Sequence, residues 1–101
     1  MTGYAQGDKS KVAIVRTALE LWREGGERVV TARGIGKRVG LSHAGVIYHF
    51  GSTGAMLDAV KRQAIEDGDG VVIAALILSN DPLVAQWSQT DRQAWLSAAA
   101  G

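Results

Sequence analysis

Cysteine is absent from the 101 residues, which excludes disulfide scaffolding and thiolate zinc sites. Proline occurs once, at Pro82, so little in the chain forbids continuous helix. The longest apolar run, VVIAALIL at 71–78, falls far short of the roughly 20 residues that cross a bilayer as a helix, so no membrane segment is expected. The opening MTGYAQGDKSK has no apolar stretch of signal-peptide type, and a cytoplasmic location is the simple expectation. GDKS at 7–10 lacks the spacing of a phosphate-binding P-loop. What remains is ordinary globular chemistry, 47% hydrophobic and 21% charged, in a length that suits one small core.

Acid is missing from one long stretch. The net charge is only +1, but residues 1–66 hold ten Lys/Arg against six acids (+4), while 67–101 hold one Arg against four Asp (−3). From Arg28 through Leu57 there are Arg28, Arg33, Lys37 and Arg38 and no Asp or Glu. A local positive field of that kind is the footprint of a face that binds a polyanion.

The hydrophobic spacing is helical. Asp8 or Ser10 can cap a helix running to about Glu24, with Val12, Val15, Leu19 and Trp22 on one face and Gly25 and Gly26 as its stop. Thr31 caps a short helix over 32–39, with Ile35 and Val39 inward and Gly40 at its end. Leu41 alone separates that stop from Ser42, the cap of a helix over 43–49 that buries Val46, Ile47 and the following Phe50. Ser52 then caps a longer helix with Met56, Leu57, Val60 and Ala64 inward. The middle pair, joined by a tight glycine-containing turn, is a helix-turn-helix. Gly36, Ala44 and Gly45 are small where the two helices must approach. Gly34 and Gly36 each cost roughly 0.8–1 kcal/mol inside a helix, and the competing reading is that they mark a loop.

Beyond the hinge-like DGDG at 67–70, the run 71–78 reads as a buried helix or a short strand. Asp81 before Pro82 predicts a helix entering LVAQW, and Thr90 with Gln93 predicts a capping box before AWLSAAAG, with Trp87 and Trp95 packing. The expected fold is all-α: a three-helix bundle with a helix-turn-helix, a longer linking helix, and a reduced helical C-terminal segment.

LSHAGVIYHF, at 41–50, holds both histidines of the chain. His43 and His49 stand six apart, about 240° around a helix, so they cannot chelate one ion from a single face, and no acid lies nearby to complete a shell. Ser42 and His43 are adjacent and diverge by about 100°, with no acid to orient the imidazole, so nucleophilic catalysis is not supported. An enzyme is not expected, and neither metal nor cofactor is called for. The same residues make sense against DNA. A recognition helix presents its first residues to the bases, and His43, Ala44 and Gly45 sit there. Amides after Thr31 and Ser42 suit phosphate, Tyr48 and His49 can reach the DNA backbone, and the four cations supply charge.

TARGIGKRVG at 31–40, LSHAGVIYHF at 41–50 and GSTGAMLDAV at 51–60, within the run Val12 to Val60, resemble the N-terminal DNA-binding domain of TetR-family transcriptional regulators. The resemblance implies a regulator, most simply a ligand-responsive repressor that binds a palindromic operator in double-stranded DNA as a homodimer. It implies DNA-facing roles for Thr31, Arg33, Lys37, Ser42, His43, Ala44, Gly45, Tyr48, His49 and Thr53. It divides the chain into a DNA-binding domain at 8–66 and a partial dimerisation and effector segment at 67–101, the latter the place for any small-molecule effector. There are departures: Ile47 stands where the family has a tyrosine, Thr53-Gly54 replaces its Lys-Glu, and Gly34 and Gly36 replace its usual aspartate and alanine. These changes imply weaker or altered DNA binding within the same fold. The alternative function is a non-DNA-binding interaction module that pairs with a full-length regulator through 71–78, Trp87 and Trp95.

Overall fold

A computed structural model describes residues 8–100. The stretch MTGYAQG, read above for a leader segment, lies outside the described residues. The described residues form six α-helices and one 3₁₀ turn, with no strand among them: α1 (Lys9–Gly25), the turn Glu27–Val29, α2 (Ala32–Val39), α3 (His43–Tyr48), α4 (Thr53–Asp67), α5 (Gly70–Leu78) and α6 (Gln89–Ala100). The fold is all-α, as the periodicity requires. Two compact units, Met1–Gln63 and Ala64–Gly101, divide the chain, and the boundary falls within α4.

Short side chains fix the starts of the helices in the first unit. Asp8, rather than Ser10, caps α1 by accepting the Lys11 N–H at 2.9 Å. Thr31 Oγ1 accepts the Gly34 N–H, and Ser42 Oγ the Gly45 N–H, each at 3.0 Å. Ser52 Oγ accepts the Ala55 N–H at 3.0 Å to open α4. Each such cap is worth about 1 kcal/mol. The buried side chains follow the expected stripes: Ile14, Val15, Leu19 and Trp22 from α1, Ile35 from α2, Val46 from α3, and Met56 and Val60 from α4. Val12, Val39, Ile47, Phe50 and Leu57 are only half-buried, because they lie at the edges of those stripes.

The corner between α2 and α3 depends on two glycines. Gly40 takes the left-handed conformation (φ 79°), and both its N–H (2.9 Å) and that of Leu41 (3.0 Å) donate to the Gly36 carbonyl. A Cβ on Gly36 would collide with the Leu41 carbonyl oxygen, 3.3 Å from its carbon and 3.5 Å from Val46 Cγ2. Gly36 is thus small because the turn folds back over it. Ala44, expected at the same close approach, is exposed instead, and its smallness needs another account.

In the second unit the run 71–78 is helical. Asp69, almost fully buried, caps α5 with an Oδ1 contact to the Val72 N–H at 3.4 Å, and Val72, Ile73, Ala74 and Leu76 are buried. The Trp95 ring of α6 lies over the Gly68–Gly70 corner, 3.8 and 3.9 Å from where side chains on those glycines would begin. Two expectations fail here. Residues 82–86 are turns, not a helix: Asp81 Oδ1 bonds the Leu83 N–H at 3.0 Å, and Val84 and Trp87 donate three residues back, to Asp81 and Val84. The Asp81 carboxylate takes the amide two residues on instead of capping a first helical turn, and the chain turns before the next cap. That cap is Ser88, whose Oγ accepts the Asp91 N–H at 3.0 Å, so Thr90 lies inside α6 and is not its start.

Candidate nucleic-acid interface

α3 has six residues, and burial fixes which way it faces. Val46 is fully buried. At about 100° per residue, Ala44 and Tyr48 each lie roughly 160° from Val46, so these two form the outermost stripe. Both are exposed, and Tyr48 retains 84% of its accessible surface. His43 is exposed at the start of the helix, and Gly45 and Ile47 are half-buried on its flanks. The Tyr48 ring meets His49 edge-on with centroids 5.9 Å apart, which holds the tyrosine beside the half-buried imidazole at the helix C-cap. Ile47 turns partly into the protein, and the exposed aromatic is its neighbour Tyr48.

α2 divides its cations between two jobs. Ala32, Ile35 and Gly36 are buried, and Arg33 and Lys37, four apart, share the exposed face. Among the described residues no carboxylate pairs with Arg28, Arg33 or Lys37. Arg38, about 100° around from Lys37, is committed elsewhere. Its guanidinium binds Glu24 of α1 through two hydrogen bonds of 2.6 and 2.9 Å. The bidentate hydrogen bond holds the Glu24 carboxyl below its ordinary range, and Glu24 in turn raises Arg38. The acid-free segment therefore contributes less free charge than its composition suggests, because an acid from α1 neutralises one of the four cations.

The remaining expected positions are polar ends. Thr31, Ser42 and Thr53 are all exposed, the first two as caps and Thr53 as the first residue of α4. A hydroxyl that accepts its own helix's N–H still carries a proton to donate, so capping and a phosphate contact are compatible. Local spacing could not reveal two further contacts. Lys11 Nζ stands 5.6 Å from the Phe50 ring centroid, fastening the end of α3 to α1, and Lys61 Nζ of α4 lies 3.5 Å from Glu27 Oε2 in the 3₁₀ turn. Both pair residues that are remote in sequence, and only an assembled fold shows them. Among the described residues no three His, Asp or Glu side chains group closely enough to hold a metal ion, and no helix is long and apolar enough to cross a membrane.

The sequence model described as bacterial regulatory proteins, tetR family, matches residues 14–60, the stretch that contains most of α1, the 3₁₀ turn, α2, α3 and the first half of α4. No curated protein and no solved structure matches the chain. The match supports, for residues 14–60, a helix-turn-helix DNA-binding domain of the tetR family of transcription regulators.

Proposed function

We propose that the chain is a repressor that binds a palindromic operator as a homodimer, with residues 8–66 as its DNA-binding domain. α3 enters the major groove, and Thr31, Arg33, Lys37, Ser42, Tyr48, His49 and Thr53 contact the sugar-phosphate backbone around it. His43, Ala44 and Gly45 face base edges. Two-fold symmetry sets the two copies of α3 in successive major grooves, about 34–36 Å apart. The dimer contact and any response to a small-molecule effector are assigned to residues 67–101. Work on chromosomal DNA would keep the protein in the cytoplasm.

The observation that carries this reading is the pairing of Arg33 with Lys37 on one exposed helix face, with no acid partner among the described residues. Like charges four apart on a helix cost about 0.2–0.5 kcal/mol, and a polyanion is what removes that cost. Tyr48 supports it, being the most exposed large hydrophobic residue among the described residues of the first unit and standing on α3. The interaction-module reading draws on Val71 (55% exposed) and Leu78 (77%), seven apart on α5, whereas the rest of that run is mostly buried.

The test is titration of the purified chain against random and genomic duplex DNA at two salt concentrations, by fluorescence anisotropy, with the mass of the complex measured. Salt-sensitive binding, enrichment of a palindrome and two chains per site are the expected results. A folded helical chain that binds no duplex would overturn the reading and favour the interaction module.

A further inference from the structure

Sequence reading in the major groove depends on side chains that match the edge of each base pair. Arg or Lys recognises guanine, Asn or Gln recognises adenine, and a carboxylate accepts from cytosine. α3, His43-Ala44-Gly45-Val46-Ile47-Tyr48, contains none of these six residue types. Val46 is buried, Ile47 half-buried, and Gly45 has no side chain to offer. His43 can make one hydrogen bond to a base edge, which discriminates poorly compared with a bidentate pair. The outermost stripe is the Ala44 methyl and the Tyr48 ring, roughly 6 Å apart at an i,i+4 spacing. Ala44 is exposed, which leaves its methyl free to touch something outside the protein.

Resting on the DNA-binding reading above, we propose that the outward stripe of α3 recognises thymine through its 5-methyl group, with Ala44 as the contact and the Tyr48 ring covering its flank while its hydroxyl reaches the sugar-phosphate backbone. The thymine methyl is the one apolar feature of the major groove, and alanine is a side chain that packs against it. Arg33 and Lys37, on the helix that crosses the backbone, give affinity without sequence. The operator half-site accordingly carries thymine opposite Ala44, and its recognition depends on a methyl group and not on a guanine.

The experiment separates this from DNA binding in general. A random-core duplex pool made with dTTP is taken through several rounds of selection on the purified chain. The enriched pool is then resynthesised with dUTP in place of dTTP, which removes only the methyl groups. Dissociation constants for both forms, and for the unselected pool in both forms, are read by anisotropy. Burying one methyl corresponds to about a fourfold gain, so two half-sites predict roughly fifteenfold weaker binding of the uracil form, with the unselected pools alike. In Ala44→Gly, or in Ala44→Ser should the glycine variant melt early, the thymine-to-uracil ratio should shrink toward one. Tight selective binding that uracil leaves unchanged overturns the proposal and leaves the DNA-binding reading standing. So does a loss that neither Ala44 variant reduces, because it belongs to the duplex. Failure of every pool to bind overturns the DNA-binding reading and this inference with it.

Discussion

Replacing Gly36 with alanine tests the corner on which the interface depends. The added Cβ would collide with the Leu41 carbonyl, a backbone atom and not the mobile end of a side chain. Leu41 cannot swing away freely, because its own N–H and that of Gly40 both donate to the Gly36 carbonyl. Overpacking against a fixed neighbour costs about 1–3 kcal/mol, and the pinned turn argues for the upper end. Against this stands the gain of roughly 1 kcal/mol from removing glycine from a helix interior. The net expectation is a destabilisation of about 2 kcal/mol, or a thermal midpoint lower by roughly 10 °C. Far-UV circular dichroism during heating and urea titration reads it. Gly54→Ala in α4 is the control: its nearest neighbour is Ser52 Oγ at 3.9 Å, so only the propensity gain applies and stability should be unchanged or slightly higher. If Gly36→Ala proves as stable as the parent, the turn does not fold back over Gly36 and the account of the corner is wrong.

Other predictions concern charge and exposure. Glu24 titrates below its ordinary range because of Arg38, so the pair's contribution is complete above the unfolded carboxylate value and is lost as pH falls through the lower folded one. The stability gap between the parent and Glu24→Gln should therefore close as urea titrations are repeated from pH 6 down to pH 3; a gap that holds or widens would refute the pairing. Arg33→Ala and Lys37→Ala should each weaken binding to all duplexes and reduce the slope of log K against log salt by about 0.9, whereas Arg38→Ala, committed to Glu24, should leave that slope unchanged and affect stability. Tyr48→Ala and His43→Ala should reduce affinity for the selected operator while the thermal midpoint stays within a degree or two of the parent. A large drop in midpoint would mark them as packing residues.

The parts of this fold that were legible in the sequence are those fixed by contacts three or four residues apart. Thr31 and Gly40 bracket α2, and Ser42 opens α3, because cap and stop act on the helix they adjoin. The failures came where two local signals competed or where a distant partner intervened. Ser88 and Thr90 are both hydroxyl residues with a polar residue three places on; Ser88 takes the cap because starting there brings more residues into α6. Asp81 and Pro82 carry the signature of a helix start, but the Asp81 carboxylate bonds the nearer Leu83 N–H, and the chain turns. The charge of the acid-free segment from Arg28 to Leu57 looked fourfold until Glu24, fourteen residues away, took Arg38. The strand-like Val71-Val72-Ile73 became helix, since burial outweighs β-propensity. At the candidate site, exposure of Ala44 and Tyr48 follows from Val46 alone, whereas that of His43, only about 60° from Val46, comes from its place at the helix start, and the contact of His49 with Tyr48 required coordinates.

Ala44 and Tyr48 stand outside the core, on a helix held in place by Val46, the Ser42 cap and the Gly36 corner. Substitutions at the two outward positions are therefore expected to leave the fold intact. On the DNA-binding reading proposed above, a substitution at either position would change what the helix touches without calling for a compensating change in the scaffold.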